Sequence, residues 1–185
     1  MGEFLRLKNE IDNLLRMYDK VIVAIDGRCT SGKSTMGERL LREYDLNLFH
    51  MDDFFLPITR KTKERMEEIG GNVDYERVLN EIILPLKSGC DFSYRPFDCS
   101  IQSLGDEVEV CTKRLNVIEG TYSMHPLLFE HYTYRVFLDI NEKKQNERVK
   151  ERFNADRFFD EWIPLEEKYF NTLKIKDRAD LILKA

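Results

Sequence analysis

The sequence predicts an α/β fold: a doubly wound, mostly parallel sheet with helices on both faces and a small β-hairpin insertion. Three observations carry this. Runs of almost wholly apolar residues (VIVAI at 21–25, LNVIEG at 115–120, YRVFLDI at 134–140) suit strands covered on both faces. They alternate with stretches of helical periodicity, the pattern of a parallel sheet with crossover helices. The 185 residues, 42% hydrophobic and 34% charged with no low-complexity tract, are enough for one folded domain and one substantial core.

Each element follows from its residues. Ile11, Leu14, Leu15 and Tyr18 fall at helical spacing, so an amphipathic helix leads into the strand Val21 to Ile25. A glycine-containing loop follows, and then STMGERLLREY carries Met36, Leu40 and Leu41 on one helical face. LNLFHMDDFF (46–55) reads as a second strand ending in Asp52 and Asp53. RKTKER (60–65) reads as a mobile charged loop over the site, and Gly70-Gly71 end whatever precedes them. Asp74 can cap a helix whose apolar face is Val78, Leu79, Ile82, Ile83 and Leu86. FSYRPF and EVEVC, separated by polar residues with Gly105 and Asp106, form the hairpin-like insertion. A charged helix NEKKQNERVKERF, a second helix WIPLEEKYFNTL with Trp162 as a core anchor, and a closing strand ADLILK complete the chain.

Charge narrows the partners. A net charge of −5 and a pI near 5.4 argue against nucleic acid and against an anionic membrane surface, so any phosphate must be met locally. The N-terminal MGEFLRLKNE has no apolar signal core and no run is long enough to span a bilayer, which makes a cytoplasmic location the expectation. Cys29, Cys90, Cys99 and Cys111 contain no C-x-x-C pair and read as reduced thiols.

The chemistry is concentrated in AIDGRCTSGKST. Gly27 to Ser34 satisfies G-x-x-x-x-G-K-[ST], the phosphate-binding P-loop. Glycines let the backbone curl so that successive N–H groups face a phosphate, and the following helix adds its positive N-terminus. Four fixed positions should coincide by chance on the order of once in a hundred sequences of this length. The strand before the loop and the helix after it reduce that further, so the loop predicts a nucleoside triphosphate site formed by Gly27, Arg28, Cys29, Thr30, Ser31, Gly32, Lys33, Ser34 and Thr35. Lys33 would neutralise the outer phosphates and the Ser34 hydroxyl would coordinate Mg²⁺. Neither a D-x-x-G switch nor an N-K-x-D base-reading motif is present in register, which excludes a GTPase.

The order HMDDFF, GGNVDYERV, YRPFDC, VIEGTYSMHP, an arginine-bearing helix and then WIPLEEKYF resembles the uridine kinase and phosphoribulokinase branch of the P-loop kinases, from about Val21 to the end. The resemblance implies a single P-loop kinase domain over 1–185, with an acceptor-site insertion at about 88–112 and a lid at about 142–160. It implies ATP and Mg²⁺ as cofactors and transfer to a hydroxyl of a small acceptor such as uridine or cytidine. Asp52 stands at the position of the family's catalytic aspartate, with Asp53 as its rival, and Glu119 at that of the strand-end glutamate near the metal. Ser34, Asp52 and Glu119 are thus the metal candidates. Asp74 matches an aspartate that holds ribose hydroxyls, and here it also suits a helix cap. Arg148 and Arg152, four residues apart on one helix face, resemble lid arginines that close on ATP, and they also suit a solvated face paired with Glu147 or Glu151. Tyr94, Arg95, Phe97 and Asp98 are the acceptor candidates within the insertion, or else the two faces of a hairpin.

The chain departs from the family pattern in three places: Phe55 replaces a tyrosine, no histidine lies between Asp98 and Cys111, and Lys143, Lys144 and Gln145 stand where an early lid arginine is expected. Pantothenate, nicotinamide riboside and a sugar acid are the alternative acceptors, and a non-catalytic nucleotide-binding regulator is the alternative class. A homo-oligomer is left open.

Overall fold

The computed structural model describes residues 2–185. Helix α1 (Glu3–Met17) leads into strand β1 (Val21–Gly27), and α2 (Lys33–Glu43) leads into β2 (Leu46–His50). The insertion contributes β3 (Phe92–Tyr94), β4 (Phe97–Asp98), β5 (Ser103–Leu104) and β6 (Val108–Val110). The sheet is completed by β7 (Leu115–Glu119), β8 (Tyr134–Asp139) and β9 (Leu181–Lys184). Five parallel strands run in the order β2-β7-β1-β8-β9.

Both faces of this sheet are covered, which explains why β1 is buried at every residue. Val21, Val23 and Ile25 pack with Leu7, Ile11, Leu14 and Leu40 from α1 and α2. Ile22 and Ala24 face the other way, into a core with Val78, Ile82, Ile83, Leu128, Tyr169 and Phe170. Alternation along one strand thus feeds two cores.

The helix predicted from Asp74 runs over 75–88 with a π-turn at Val78–Ile83, and the Asp74 carboxylate caps it by accepting the Arg77 N–H. The insertion is two nested antiparallel pairs, β3 with β6 and β4 with β5. FSYRPF is therefore two strands broken at Arg95-Pro96.

Several expectations are corrected. The β2 strand stops at His50, and Asp52 and Asp53 lie in a following 3₁₀ turn (Met51–Phe54). Tyr18 ends α1 as its cap and stays half-exposed. The 60–65 segment is tied down: Arg65 donates to Tyr75, Glu76 and the Val73 carbonyl, and Arg60 pairs with Asp74. Trp162 is not a core anchor; it is half-buried and belongs to the helical run 155–173 that leads into Ile163–Leu173.

Candidate active site

The site lies at the C-terminal ends of β1, β2 and β7, where the strand order turns about β1, the place where open α/β sheets bind ligands. Register explains the grouping. Ile25 and His50 both pair with Glu119, so the P-loop, the 3₁₀ turn and Glu119 emerge at one edge.

Two glycines shape the loop. Gly27 has φ +147°, and a Cβ there would meet the Leu138 carbonyl oxygen at 2.3 Å. Gly32, at φ +94°, is left-handed and serves as the N-cap of α2 without any side-chain cap. The first N–H groups of α2 therefore lack a side-chain acceptor. Lys33 curls back, its Nζ donating to the carbonyls of Gly27 at 2.7 Å and Arg28 at 2.9 Å. The hydroxyls of Thr30 and Ser31 are buried with no hydrogen-bond partner. Orphaned donors around a lysine and a helix N-terminus fit a bound phosphate chain.

A cavity of about 250 Å³ opens beside the loop, and its lining includes Lys33, Ser34, Asp52, Glu119, Arg152 and Glu166. Phe55, Tyr122, Phe158 and Trp162 contribute aromatic surface to it. A second, more open space of about 700 Å³ lies along Thr30 to Met36, reaching Arg148, Arg152, Lys184 and Ala185. Arg152 lines both.

Burial and the charge of Glu119 push the Asp52 carboxyl above its ordinary value, against the pull of Lys33, His50 and Arg152. Asp52 remains open to solvent through the cavity mouth even though protein surrounds it on most sides. Glu119 is 3% exposed, and His50 Nδ1 stands 2.5 Å from its Oε1. That contact raises the His50 pKa, so this histidine has an ionic partner at the site. Asp53 is directed elsewhere, accepting the Tyr94 hydroxyl at 3.3 Å.

The donors fit Mg²⁺ as phosphate-processing sites hold it. Among the described residues no group of three or more His, Cys, Asp or Glu side chains is arranged for a metal. Mg²⁺ typically takes one or two carboxylates together with substrate phosphates, and Ser34, Asp52 and Glu119 share the cavity where those phosphates would lie.

The other candidates sit apart. Asp74 is buried and engaged by Arg60 and by its own helix N-terminus, away from the cavity lining. Arg95 donates to the carbonyls of Gly105 and Leu104, and Asp98 accepts from Ser100, so both close the hairpin. Tyr94 and Phe97 are buried, Tyr94 stacking on Phe54 at 5.7 Å between centroids. Arg148 donates to the Thr30 carbonyl at 2.7 Å, which holds it on the loop. All four cysteines are unpaired.

Sequence reasoning gave no role to Glu166, Asn72, Thr121, Tyr122 or Phe158, all of which line the cavity. It also passed over Asp26, fully buried beneath the loop. A signal existed for two of these: Asp26 is the one acid in an apolar strand, and Glu166 shares the helix face of buried Tyr169 and Phe170.

No family model matches the chain, and no curated protein matches it. Solved structures do. One from Bacillus stearothermophilus, described as a possible uridine kinase, aligns with a TM-score of 0.70 at 21% identity, over 96% of this chain and 99% of that one. A Saccharomyces cerevisiae protein described as a candidate P-loop containing kinase with a circular permutation aligns with a TM-score of 0.67 at 13% identity, over 98% and 99%. No helix among the described residues is long and apolar enough to cross a membrane. The chain shares the α/β fold of these two structures, one described as a possible uridine kinase and the other as a candidate P-loop containing kinase.

Proposed function

We propose that the chain is an ATP-dependent phosphotransferase that moves the γ-phosphoryl group to a hydroxyl of a small nucleoside-like acceptor, uridine and cytidine being the first to try. One observation carries the proposal: Lys33 and Ser34 of the phosphate loop share a single cavity with Asp52, Glu119 and Arg152. Phosphoryl transfer asks a protein chiefly for positioning and for charge opposite the transferred group. Lys33 and Arg152 supply positive charge from two sides. Asp52, its carboxyl raised by burial, accepts the proton of the attacking hydroxyl, a role for which a raised pKa is an advantage. Ser34, Asp52 and Glu119 would hold Mg²⁺, which when bound neutralises charge on the phosphates. The wall of Phe55, Tyr122, Phe158 and Trp162 suits a flat or sugar-bearing acceptor. The shared fold with a structure described as a possible uridine kinase points the same way.

The closure of Arg95 and Asp98 within the hairpin, with Asp74 covered by Arg60, favours testing acceptors read by other groups: pantothenate, nicotinamide riboside and a sugar acid. The test is ADP release from Mg²⁺-ATP with and without this panel. Acceptor-stimulated turnover supports the kinase and names its substrate class. Tight ATP binding with no stimulation leaves two readings, an acceptor outside the panel or the regulatory protein.

A further inference from the structure

Three consecutive residues at the start of the phosphate loop are held by the helices on either side of the segment 151–154. Glu167 takes the Arg28 guanidinium in a two-point contact, Nη2 donating to Oε2 at 3.0 Å. Glu166 Oε2 accepts the Cys29 N–H at 2.8 Å. From the other side, Gln145 Nε2 donates to Cys29 Sγ at 3.1 Å and Arg148 to the Thr30 carbonyl.

Glu166 differs from the others. It is only 7% exposed, it lines the cavity with Lys33 and Asp52, and its Oε1 stands 3.1 Å from the hydroxyl of Thr121, just beyond Glu119. A carboxylate buried beside a phosphate site opposes phosphate by its charge, and burial raises its pKa even against the attraction of Lys33. Charge therefore gives no reason for its presence, whereas geometry does. Cys29 N–H is a buried donor that needs an acceptor, and Glu166 bridges it to the segment after β7. The same helical run, 155–173, begins with Phe158 and Trp162 on the acceptor side of the cavity.

We propose that Glu166 is the positioning residue of the phosphate loop, setting the conformation of residues 27–31 through hydrogen bonds to Cys29 and Thr121. The role rests on the nucleotide-binding reading of the loop given above. It follows that geometry matters at this position and charge does not. Replacement by glutamine would keep an acceptor for Cys29 N–H, and the new amide could donate to Thr121, whose hydroxyl also reaches the Gly27 carbonyl. Replacement by aspartate keeps the charge but withdraws it by one methylene.

The experiment compares the full-length wild type with Glu166→Gln, Glu166→Asp and Glu166→Ala. Amide hydrogen exchange over residues 27–31 is followed in the free proteins, and Mg²⁺-ADP and Mg²⁺-ATP binding by calorimetry well below the melting temperature. Faster exchange in the Asp and Ala variants, with nucleotide binding about 10- to 100-fold weaker, is expected, while the Gln variant stays within about threefold of wild type. Melting temperatures separate this from general loss of structure, and the Asp variant stands in if the Ala variant does not fold. Unchanged exchange in both Asp and Ala variants overturns the proposal, as does a Gln variant as weak as the Ala variant. A wild-type chain that binds neither nucleotide removes the phosphate-loop reading itself, whatever the exchange shows.

Discussion

The phenolic hydroxyl of Tyr169 donates to Oδ2 of Asp26 at 2.8 Å beneath the phosphate loop, where neither residue meets solvent. The same oxygen accepts the Met124 N–H at 2.9 Å, and Oδ1 accepts the Gly27 N–H at 2.7 Å. One carboxylate thus joins β1, the segment after β7 and the last long helix.

Burial pushes the Asp26 carboxyl up to about 6 from an ordinary 3.8, against the pull of those donors and of Lys33. Between these values the native chain holds a proton that the unfolded chain has released. Stability from this group is therefore fully present below pH 3.8 and is lost as pH rises through 6. The gap corresponds to about 3 kcal/mol. Unfolding of wild type and Asp26→Asn in urea should show the wild type gaining on the variant by up to that amount as pH falls from 7 to 4. A difference that stays flat with pH would assign Asp26 an ordinary titration.

Lys33 donates to two loop carbonyls, so its removal affects the loop as well as the ligand. Lys33→Met is expected to fold with a loss of about 1–2 kcal/mol from the unpaired carbonyls. ATP at a hundredfold excess over its Kd should stabilise the wild type by about 2.7 kcal/mol by mass action. Thermal unfolding with and without Mg²⁺-ATP reads both, and an equal ATP-induced shift in the variant would place the phosphates elsewhere.

Asp52 and Glu119 line the same cavity and differ in their partners, Glu119 being held by His50 while Asp52 faces the opening. Asp52→Asn should therefore keep nucleotide affinity and lower kcat by about 10²- to 10⁴-fold, the usual worth of a general base. Glu119→Gln should act on the dependence of turnover on Mg²⁺ concentration. Steady-state kinetics at varied Mg²⁺ separates the two, and unchanged transfer in Asp52→Asn would remove this residue from the mechanism.

Gly27 tests the backbone alone. Its φ of +147° and the 2.3 Å approach of the Leu138 oxygen to a Cβ leave no room for alanine. Gly27→Ala should lose about 3 kcal/mol or more, read as a fall in the urea midpoint. A variant of wild-type stability would show that β1 and β8 can separate at this point.

The sheet and the loop were legible because their signals are local. Apolar runs mark the strands, and G-x-x-x-x-G-K-S marks the turn between β1 and α2. The placement of Asp52 and Glu119 at one edge was legible, although only Glu119 ends a strand and Asp52 lies in the turn that follows β2. The other wall of the cavity was harder, since it is assembled from distant segments: Phe55, Asn72, Tyr122, Phe158 and Trp162 come together only through the fold. Glu166 was overshadowed in a charged pair, EEK: only its place on the helix face of Tyr169 and Phe170 sets it apart from Glu167. The fold buries it on the Cys29 N–H, while Glu167 meets the Arg28 guanidinium. Trp162 read as a core anchor because a lone tryptophan in an amphipathic helix usually is one, whereas here it ends the π-turn Phe158–Trp162 and lines the cavity.

That placement separates two views of acceptor recognition. If the insertion read the acceptor through Arg95 and Asp98, their removal would raise the acceptor KM. In the structure both side chains bond to neighbours within the hairpin, Arg95 to Gly105 at 2.7 Å and Asp98 to the Ser100 N–H at 2.7 Å. Arg95→Ala and Asp98→Ala are therefore expected to leave the acceptor KM within about threefold, with a small loss of hairpin stability. Trp162 offers a flat apolar surface on the cavity wall, already crossed on one side by Arg157 at 5.0 Å from the ring centroid. Trp162→Ala should raise the acceptor KM by about 10- to 100-fold, as the loss of one stacking surface does. ATP affinity should change less, because the loop residues Thr30 to Met36 also line a second space that Trp162 does not line. Kinetics with the acceptor found in the panel decides between the two: an effect confined to Arg95 and Asp98 would return recognition to the hairpin, and an effect confined to Trp162 assigns it to the wall formed with Phe158.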